Sequence, residues 1–112
     1  PVGSHCILEM YGIDPALLDD VSFVRVALAD ASREGMSTLI QMTSHRFEPQ
    51  GVTALALLAE SHISIHTWPE RGYAAVDIFM CGDAEPARAV PVLRAAFRPG
   101  RVAVSEQKRG ML

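Results

Sequence analysis

Residues 52–68 constrain the fold more than any other part of the chain. An almost wholly apolar run, Val52 to Ala59, is followed by a segment in which polar and apolar residues alternate, Ser61 to Trp68. Alanine and leucine favour a helix by propensity, but the short run and the turn residues before it favour a buried strand. Two strands joined by so short a connection pair antiparallel. We therefore expect a mostly antiparallel sheet.

The rest of the chain is predicted to form short helices and strands. Asp14 before Pro15 is typical of a helix start, and Gly35 of a helix end. This first helix allows a break near Asp20. The polar tail, residues 106–112, is expected to be loose. We predict helices at residues 15–34 and from Glu85-Pro86 to before Pro99, and further strands at residues 5–11, 37–47, 73–81 and 101–105.

These elements predict an α+β fold in a single domain, residues 1–112. The fold is a two-layer sandwich in which two helices cover one face of the sheet. The other face must then meet solvent or a partner. Because strand 52–59 is apolar almost throughout, we expect it to be buried on both sides. That favours a homodimer in which two sheets pack face to face.

Composition and charge argue against several classes of function. The net charge is only −3, and no basic cluster suited to nucleic acid is present. No run approaches the ~20 apolar residues of a membrane helix, and the first residues lack a secretion signal. We expect a cytoplasmic protein. Its two cysteines are weak evidence for a disulfide. Cys6 is expected to be a buried strand residue, and Cys81, at a strand end, to be available for chemistry.

Chemistry is concentrated directly after the apolar run. Residues 59–70 hold two carboxylates, two imidazoles, three hydroxyls and the only indole of the chain. Buried polar groups need hydrogen-bonding partners, so a plain core strand would not carry so many. The segment is therefore the candidate site.

Three kinds of chemistry fit these residues. Ser61 beside His62 suggests nucleophilic hydrolysis, although the sequence has no G-x-S-x-G elbow. His62 and His66 share one face of a strand and could bind a metal with His45 and Cys81, although their spacing matches no strong zinc signature. The third possibility is self-processing.

In self-processing, the Ser61 hydroxyl attacks the carbonyl carbon of Glu60 and converts the peptide bond to an ester. Removal of the Ser61 α-proton then expels the Glu60 carboxylate and leaves dehydroalanine, which hydrolyses to a pyruvoyl group. The reaction needs a serine, a group that polarises the carbonyl, and a base. Ser61 and His66 can fill the first and last of these roles.

The motif around this bond resembles the cleavage site of the prokaryotic S-adenosylmethionine decarboxylase proenzymes. Three further blocks resemble the same family, in the same order along the chain. The four blocks are Gly3-x-His5 with Glu9-x-Tyr11-Gly12, His45-Arg46-Phe47 with Pro49-x-Gly51-Val52, Glu60-Ser61-His62-Ile63-Ser64-Ile65-His66-Thr67-Trp68-Pro69-Glu70, and Gly72 to Phe79 with Cys81-Gly82.

The resemblance implies cleavage between Glu60 and Ser61, which gives a β chain of residues 1–60 and an α chain of residues 61–112. Ser61 becomes a covalent pyruvoyl cofactor that captures the amino group of S-adenosylmethionine as a Schiff base and serves as electron sink. The product would be the aminopropyl donor for spermidine. No metal is implied.

The resemblance also implies roles for individual side chains. His66 is the processing base, and Cys81 is the acid that reprotonates the α-carbon. Phe47 and Trp68 flank the adenine and add cation–π attraction near the sulfonium, and Glu70 bonds the ribose hydroxyls.

Two positions depart from a simple match. Thr53 stands where many relatives have a processing serine, and its hydroxyl could do the same work with a stiffer side chain. Strict alternation also places Ser61 and His66 on opposite faces of the strand. We therefore predict irregular backbone at residues 60–62. His5 and His45 are expected to be structural.

Two alternatives remain open from the sequence. A relative could have changed its substrate to a basic amino acid, ornithine or arginine. The chain could also be a dimeric α/β binding module that is never cleaved.

Overall fold

The computed structural model describes residues 1–112 and contains one six-stranded sheet with three helices. Every neighbouring pair of strands is antiparallel, in the order β2-β3-β4-β5-β1-β6. The elements are β1 (Gly3–Tyr11), α1 (Pro15–Leu18), α2 (Val21–Glu34), β2 (Leu39–Arg46), β3 (Val52–Leu58), β4 (Ser61–Trp68), β5 (Tyr73–Cys81), α3 (Ala89–Phe97) and β6 (Arg101–Arg109), with 3-10 turns at Pro69–Arg71 and Pro86–Arg88.

The predicted α+β class and the mostly antiparallel sheet are confirmed. The expected break in the first helix is real, because two aspartates each cap a helix there. Asp14 accepts a hydrogen bond from Ala16 N–H, and Asp20 accepts one from Phe23 N–H, both at 3.0 Å. The helices therefore number three rather than two.

The core lies between the helices and one face of the sheet. Alternate residues of the inner strands point into it, and the edge-to-face pair Phe23–Phe97 joins α2 to α3. Its largest fully buried side chains are those of Phe97, Leu8, Met10, Leu18, Leu28, Ile63, Ile65, Ile78, Met80 and Leu93.

The opposite face of the sheet, which we call the open face, carries no helix. The predicted burial of strand 52–59 on both sides requires a partner, and the single chain covers only one side of this strand. Val52, Ala54 and Ala56 are buried, but Leu57 points to the open face and is 44% exposed. One helix layer can cover only one face of an antiparallel sheet, whatever the strand is made of.

The predicted loose tail is wrong. β6 continues to Arg109 and pairs with β1 along its whole length, from Tyr11↔Arg101 to Gly3↔Arg109. Backbone hydrogen bonds hold this edge strand, so it needs few apolar side chains, and polar residues are common on such edges. None of the helices combines the length and apolarity that crossing a membrane requires.

Candidate active site

The turn between β3 and β4 holds the bond that the sequence marks for cleavage. The carbonyl oxygen of Glu60 accepts two hydrogen bonds from Cys81, one from the backbone N–H and one from the thiol, each at 3.0 Å. The Ser61 hydroxyl lies 4.0 Å from Cys81 Sγ. Two donors therefore converge on the oxygen that would become negatively charged if Ser61 attacked this carbonyl.

The backbone at Ser61 is strained. Its φ is 150°, a value that residues with a side chain rarely adopt. The irregular backbone predicted for residues 60–62 is thus confirmed. The turn is held in place by the start of β2, where Thr38 N–H donates to Glu60 Oε1 and Ala59 N–H donates to Thr38 O, both at 2.9 Å. Sequence reasoning missed Thr38, whose role depends on a long-range contact.

The other end of β4 forms a separate cavity of about 360 Å³. Its size suits a small-molecule ligand. The structure brings five of the predicted site residues together here. The cavity is lined by Phe47, Gln50, Gly51, Thr53, His66, Thr67, Trp68 and Glu70. Gln50, Gly51 and Thr67 were not predicted as pocket residues.

Within this cavity, His66 and Thr53 contact each other across β3 and β4. The Thr53 hydroxyl lies 2.9 Å from His66 Nδ1, within hydrogen-bond distance. A hydrogen bond at one ring nitrogen fixes the imidazole and leaves Nε2 for a second partner. The pair that the sequence assigned to processing is therefore formed.

The structure does not bring His66 to Ser61. The two residues are paired with Ala75 and Met80 of β5, at opposite ends of the strand. At about 3.3 Å per residue, five residues of strand separate them by roughly 16 Å. The irregular turn redirects Ser61 without shortening this distance. One chain therefore contains two separated parts of the predicted site, which we call half-sites: a cleavage end (Glu60, Ser61, Cys81) and a nucleoside end (the cavity), each named for the role that the resemblance implies.

An aromatic stack supports Trp68 from the open face. Trp68 stacks on Tyr73 with 5.3 Å between ring centroids, Tyr73 stacks on Tyr11 at 5.3 Å, and Arg101 lies 4.0 Å over the Tyr11 ring. The Tyr73 hydroxyl donates to Glu9 at 2.7 Å. Burial, and then this hydrogen bond, raise the pKa of Tyr73 to about 12. No local pattern in the sequence signals this stack, because its members lie on four different strands.

The metal alternative finds no support in the arrangement of the side chains. No three His, Cys, Asp or Glu side chains lie close enough together to hold an ion. His45 packs edge-on against Phe47, at 4.6 Å, and His5 contacts Asp77 at 2.9 Å. Both cysteines are free, and Cys6 is buried, as expected.

Comparison with known proteins bears on the remaining possibilities. The profile of the family described as S-adenosylmethionine decarboxylase matches residues 4–110. The chain belongs to this family. It is 57% identical over 109 residues to the S-adenosylmethionine decarboxylase proenzyme of Parasynechococcus marenigrum, covering 96% of this chain and 85% of that one. It is 47% identical over 112 residues to the proenzyme of Methanococcus vannielii, covering 99% and 92%.

A solved structure agrees with this S-adenosylmethionine decarboxylase family assignment. The crystal structure of adenosylmethionine decarboxylase from Aquifex aeolicus superimposes with a TM-score of 0.92 at 38% identity, covering 99% of this chain and 92% of that chain. The resemblance stated from four sequence blocks is confirmed, and so is the prediction of a decarboxylase. Relatives named as proenzymes argue against the binding module that is never cleaved.

Proposed function

We propose that this protein is a pyruvoyl-dependent S-adenosylmethionine decarboxylase that cleaves itself between Glu60 and Ser61 and then acts as a homodimer. The observation that carries the proposal is the pair of Cys81 hydrogen bonds to the Glu60 carbonyl oxygen, next to a strained Ser61. A peptide bond in an ordinary turn has no need of two donors from one residue and a hydroxyl beside them.

Cleavage follows from these contacts. The Ser61 oxygen adds to the Glu60 carbonyl carbon, and the Cys81 N–H and thiol stabilise the negative oxygen that results. Collapse breaks the C–N bond and leaves an ester with a free Ser61 nitrogen. Removal of the Ser61 α-proton by a base expels the Glu60 carboxylate. Hydrolysis of the remaining dehydroalanine releases ammonia and leaves the pyruvoyl group, and the strained φ at Ser61 is lost with the peptide bond.

The residues around Ser61 fit such a group. In the uncleaved chain Cys81 Sγ lies 4.0 Å from the Ser61 hydroxyl oxygen, so the thiol stands beside the residue that would become the pyruvoyl group. The pyruvoyl carbonyl supplies the electron sink that decarboxylation needs. The thiol donates its proton to Glu60 O in the uncleaved chain. Released from that acceptor, it can deliver the proton to the α-carbon after CO₂ leaves.

The nucleoside end suits the adenosine part of the substrate. Tyr73 already covers one face of the Trp68 ring, so an adenine base has to bind on the other face, within the cavity that Phe47 also lines. Phe47 and Trp68 are 47% and 39% exposed, which leaves their rings free for stacking. Glu70 at the rim can accept hydrogen bonds from the ribose hydroxyls.

In a homodimer, the cleavage end of one chain and the nucleoside end of the other can form one complete site. The open face carries exposed apolar side chains, Ile7 and Leu57 among them, which a partner's sheet would cover. In the arrangement that we propose, the two sheets pack face to face about a two-fold axis placed so that the cleavage end of one chain lies over the nucleoside end of the other. We propose that Ser61 and Cys81 come from one protomer, and that His66, Thr53, Phe47, Trp68 and Glu70 come from its partner.

Complementation tests this arrangement. The S61A variant should stay uncut, and the H66A variant should be cut slowly and turn over poorly. When the two are co-expressed, a mixed dimer joins the Ser61 of one chain to the His66 of the other. Random pairing should then restore roughly a quarter of wild-type activity, because half of the dimers are mixed and each has one complete site.

The measurements are denaturing mass spectrometry and release of CO₂ from labelled S-adenosylmethionine, ornithine and arginine. Mixed dimers that release no more CO₂ than the separate variants would show that His66 acts within its own chain. Cleavage of S61A at the same bond would disprove the serine mechanism. Activity on ornithine or arginine alone would change the substrate while keeping the chemistry. The variant S64A, altered on the same strand, is the control that should be cut normally.

A further inference from the structure

Both walls of the nucleoside cavity are tied to one stretch of chain outside it. This stretch, residues 18–20, joins α1 to α2, and we call it the α1–α2 corner. None of its residues lines the cavity. Its contacts with the two walls are nevertheless specific, and they run through Asp19 and Leu18.

The first wall is the loop of residues 47–51, which Asp19 holds with both carboxylate oxygens. Oδ2 accepts a hydrogen bond from Arg46 Nη2 at 2.8 Å, and Oδ1 accepts one from Gly51 N–H at 2.9 Å. The loop is closed by Phe47 N–H donating to Gly51 O at 2.8 Å. Asp19 thus holds the loop at both of its ends, through Arg46, which precedes Phe47 in sequence, and through Gly51.

Arg46 braces the same loop from within. Its guanidinium also donates to Glu48 Oε1 at 2.9 Å and to the Pro49 carbonyl at 3.3 Å. A guanidinium bonded to two carboxylates and a carbonyl is fixed in orientation. The position of Phe47, which follows Arg46 directly, is set by this network.

The second wall is the end of β4, which is attached to the corner through Thr67. The buried Thr67 hydroxyl donates to the Leu18 carbonyl at 2.7 Å and accepts from Val52 N–H at 2.8 Å. Thr67 stands between His66 and Trp68 in sequence. Gly51 also approaches this strand closely, since a Cβ there would lie 3.2 Å from Thr67 O and its φ is 105°.

We propose that the α1–α2 corner is a positioning element of the nucleoside pocket, in which Asp19 sets the spacing between the Phe47 wall and the Trp68 wall. The proposal rests on the function proposed above. Asp19 touches no substrate and acts through Phe47, so its loss weakens binding of the adenosine part. Phe47 has no proposed part in cleavage or in the decarboxylation step, so cleavage and kcat stay nearly unchanged.

The Asp19 carboxylate keeps its charge, and with it both hydrogen bonds, at neutral pH. The Arg46 hydrogen bond, followed by that of Gly51, lowers the pKa of Asp19 below its usual value. A carboxylate with a lowered pKa keeps its partners above its ordinary pKa and loses them only as the pH falls through the lowered one. Asp19 therefore keeps its hydrogen bonds to Arg46 and Gly51 at any pH above the ordinary pKa of an aspartate.

The test compares the D19N and D30N variants. The amide oxygen introduced by D19N can still accept from Gly51 N–H, but the charged bond to Arg46 is lost. Asp30 is the matched control, because it also pairs with an arginine, Arg33 at 2.7 Å, on an exposed helix surface far from the cavity loop in sequence. Trp68 is the only tryptophan of the chain, so its fluorescence reports binding of S-adenosylmethionine or 5′-methylthioadenosine without any turnover.

We expect D19N to raise the Kd for 5′-methylthioadenosine and the KM for S-adenosylmethionine about tenfold, the effect of one charge-assisted hydrogen bond. The kcat, the cleaved fraction and all D30N values should match the wild type. An unchanged Kd in D19N would overturn the proposal. So would equal losses in binding, cleavage and kcat, which would mark Asp19 as merely structural.

Three further outcomes are decisive. If D19N fails to fold, the R46K variant provides the test, because lysine keeps the positive charge but cannot donate the several directed hydrogen bonds of the guanidinium. An unchanged Kd in R46K would overturn the proposal. If wild-type fluorescence responds to the nucleoside but no CO₂ is released, the proposed reaction fails while the corner is still tested. If the wild type binds neither ligand, both proposals fail.

Discussion

The two ends of β4 differ in backbone geometry and in the contacts that their side chains make. At the cleavage end, Ser61 has a φ of 150° and the Glu60 carbonyl receives two hydrogen bonds from Cys81. At the nucleoside end the strand is regular, and His66 contacts Thr53 at 2.9 Å. The first end concentrates strain and polarisation on one bond, whereas the second provides a cavity with aromatic walls.

The contrast shows how reactivity and recognition are kept apart. A strained backbone would make a poor wall for a binding pocket, because stacking needs rings held in fixed positions. A regular strand would in turn leave its peptide bonds inert. Placing the two at opposite ends of one strand lets each be built without disturbing the other, and in the proposed homodimer a second chain joins them.

The largest effect should follow from C81A. The variant keeps the backbone N–H on the Glu60 carbonyl but loses the thiol, so cleavage should slow while still occurring. Turnover should fall by about 10²–10⁴-fold, the usual contribution of a general acid. Mass spectrometry over time measures cleavage, and CO₂ release from the cut enzyme measures turnover.

The other free cysteine provides the control for this prediction. Cys6 is buried on the helix side of β1, so C6A should be cut and should turn over normally. Unchanged turnover in C81A would remove the thiol from proton donation and reduce the cleavage end to a site of processing alone.

A smaller effect should follow at the nucleoside end from F47A. Stacking of a base on an aromatic ring is worth about 1–3 kcal/mol, which corresponds to a rise in KM of about 5-fold to 150-fold. The cleaved fraction should equal that of the wild type, because the proposed cleavage chemistry uses Ser61, Cys81 and His66 and gives Phe47 no part in it. An F47A chain that stayed uncut would contradict the proposal that Phe47 serves substrate binding alone.

The smallest effect should follow from Y73F, which tests the support behind Trp68. The neutral phenol is favoured in the folded chain, where its pKa is raised from 10.0 to about 12. Its contribution to stability is complete below pH 10 and is lost as the pH rises towards 12. At neutral pH, Y73F should cost about 1 kcal/mol of stability at most, through the bond to Glu9, and should leave kcat unchanged.

Thermal unfolding as a function of pH measures this difference. Between about pH 10 and 12 the wild type should lose more stability than Y73F. The variant should also lack the late rise in ultraviolet absorbance that marks the Tyr73 phenolate. Parallel losses in the two proteins would show that the Tyr73–Glu9 bond does not favour the neutral phenol.

Local sequence predicted most of the fold. Alternation identified β4 and β5 with their observed bounds, Ser61–Trp68 and Tyr73–Cys81, and the capping pair Asp14-Pro15 marked the start of α1. The length of β6 escaped prediction because its hydrogen bonds go to β1, at the other end of the chain. The exposed side of Leu57 escaped for a similar reason, since only the placement of the helices decides which face is covered.

The candidate site was likewise predicted from the sequence only in part. The motif residues Ser61, His66 and Cys81 were named from sequence, but their roles stay predictions. The sequence did not show that Cys81 reaches the Glu60 carbonyl with both N–H and thiol, or that Asp19 grips the loop beside Phe47. These contacts join residues that are 21 and 32 positions apart.

Local patterns along the chain were enough to predict the mostly antiparallel sheet, because periodicity and turn residues need no long-range contact. The four motif blocks carried the resemblance to the family, and that resemblance marked the bond for cleavage. The folded arrangement alone revealed that one chain holds two separated half-sites and that a distant corner holds the pocket walls. Strand register and long-range hydrogen bonds set those distances, and both exist only once the sheet has formed.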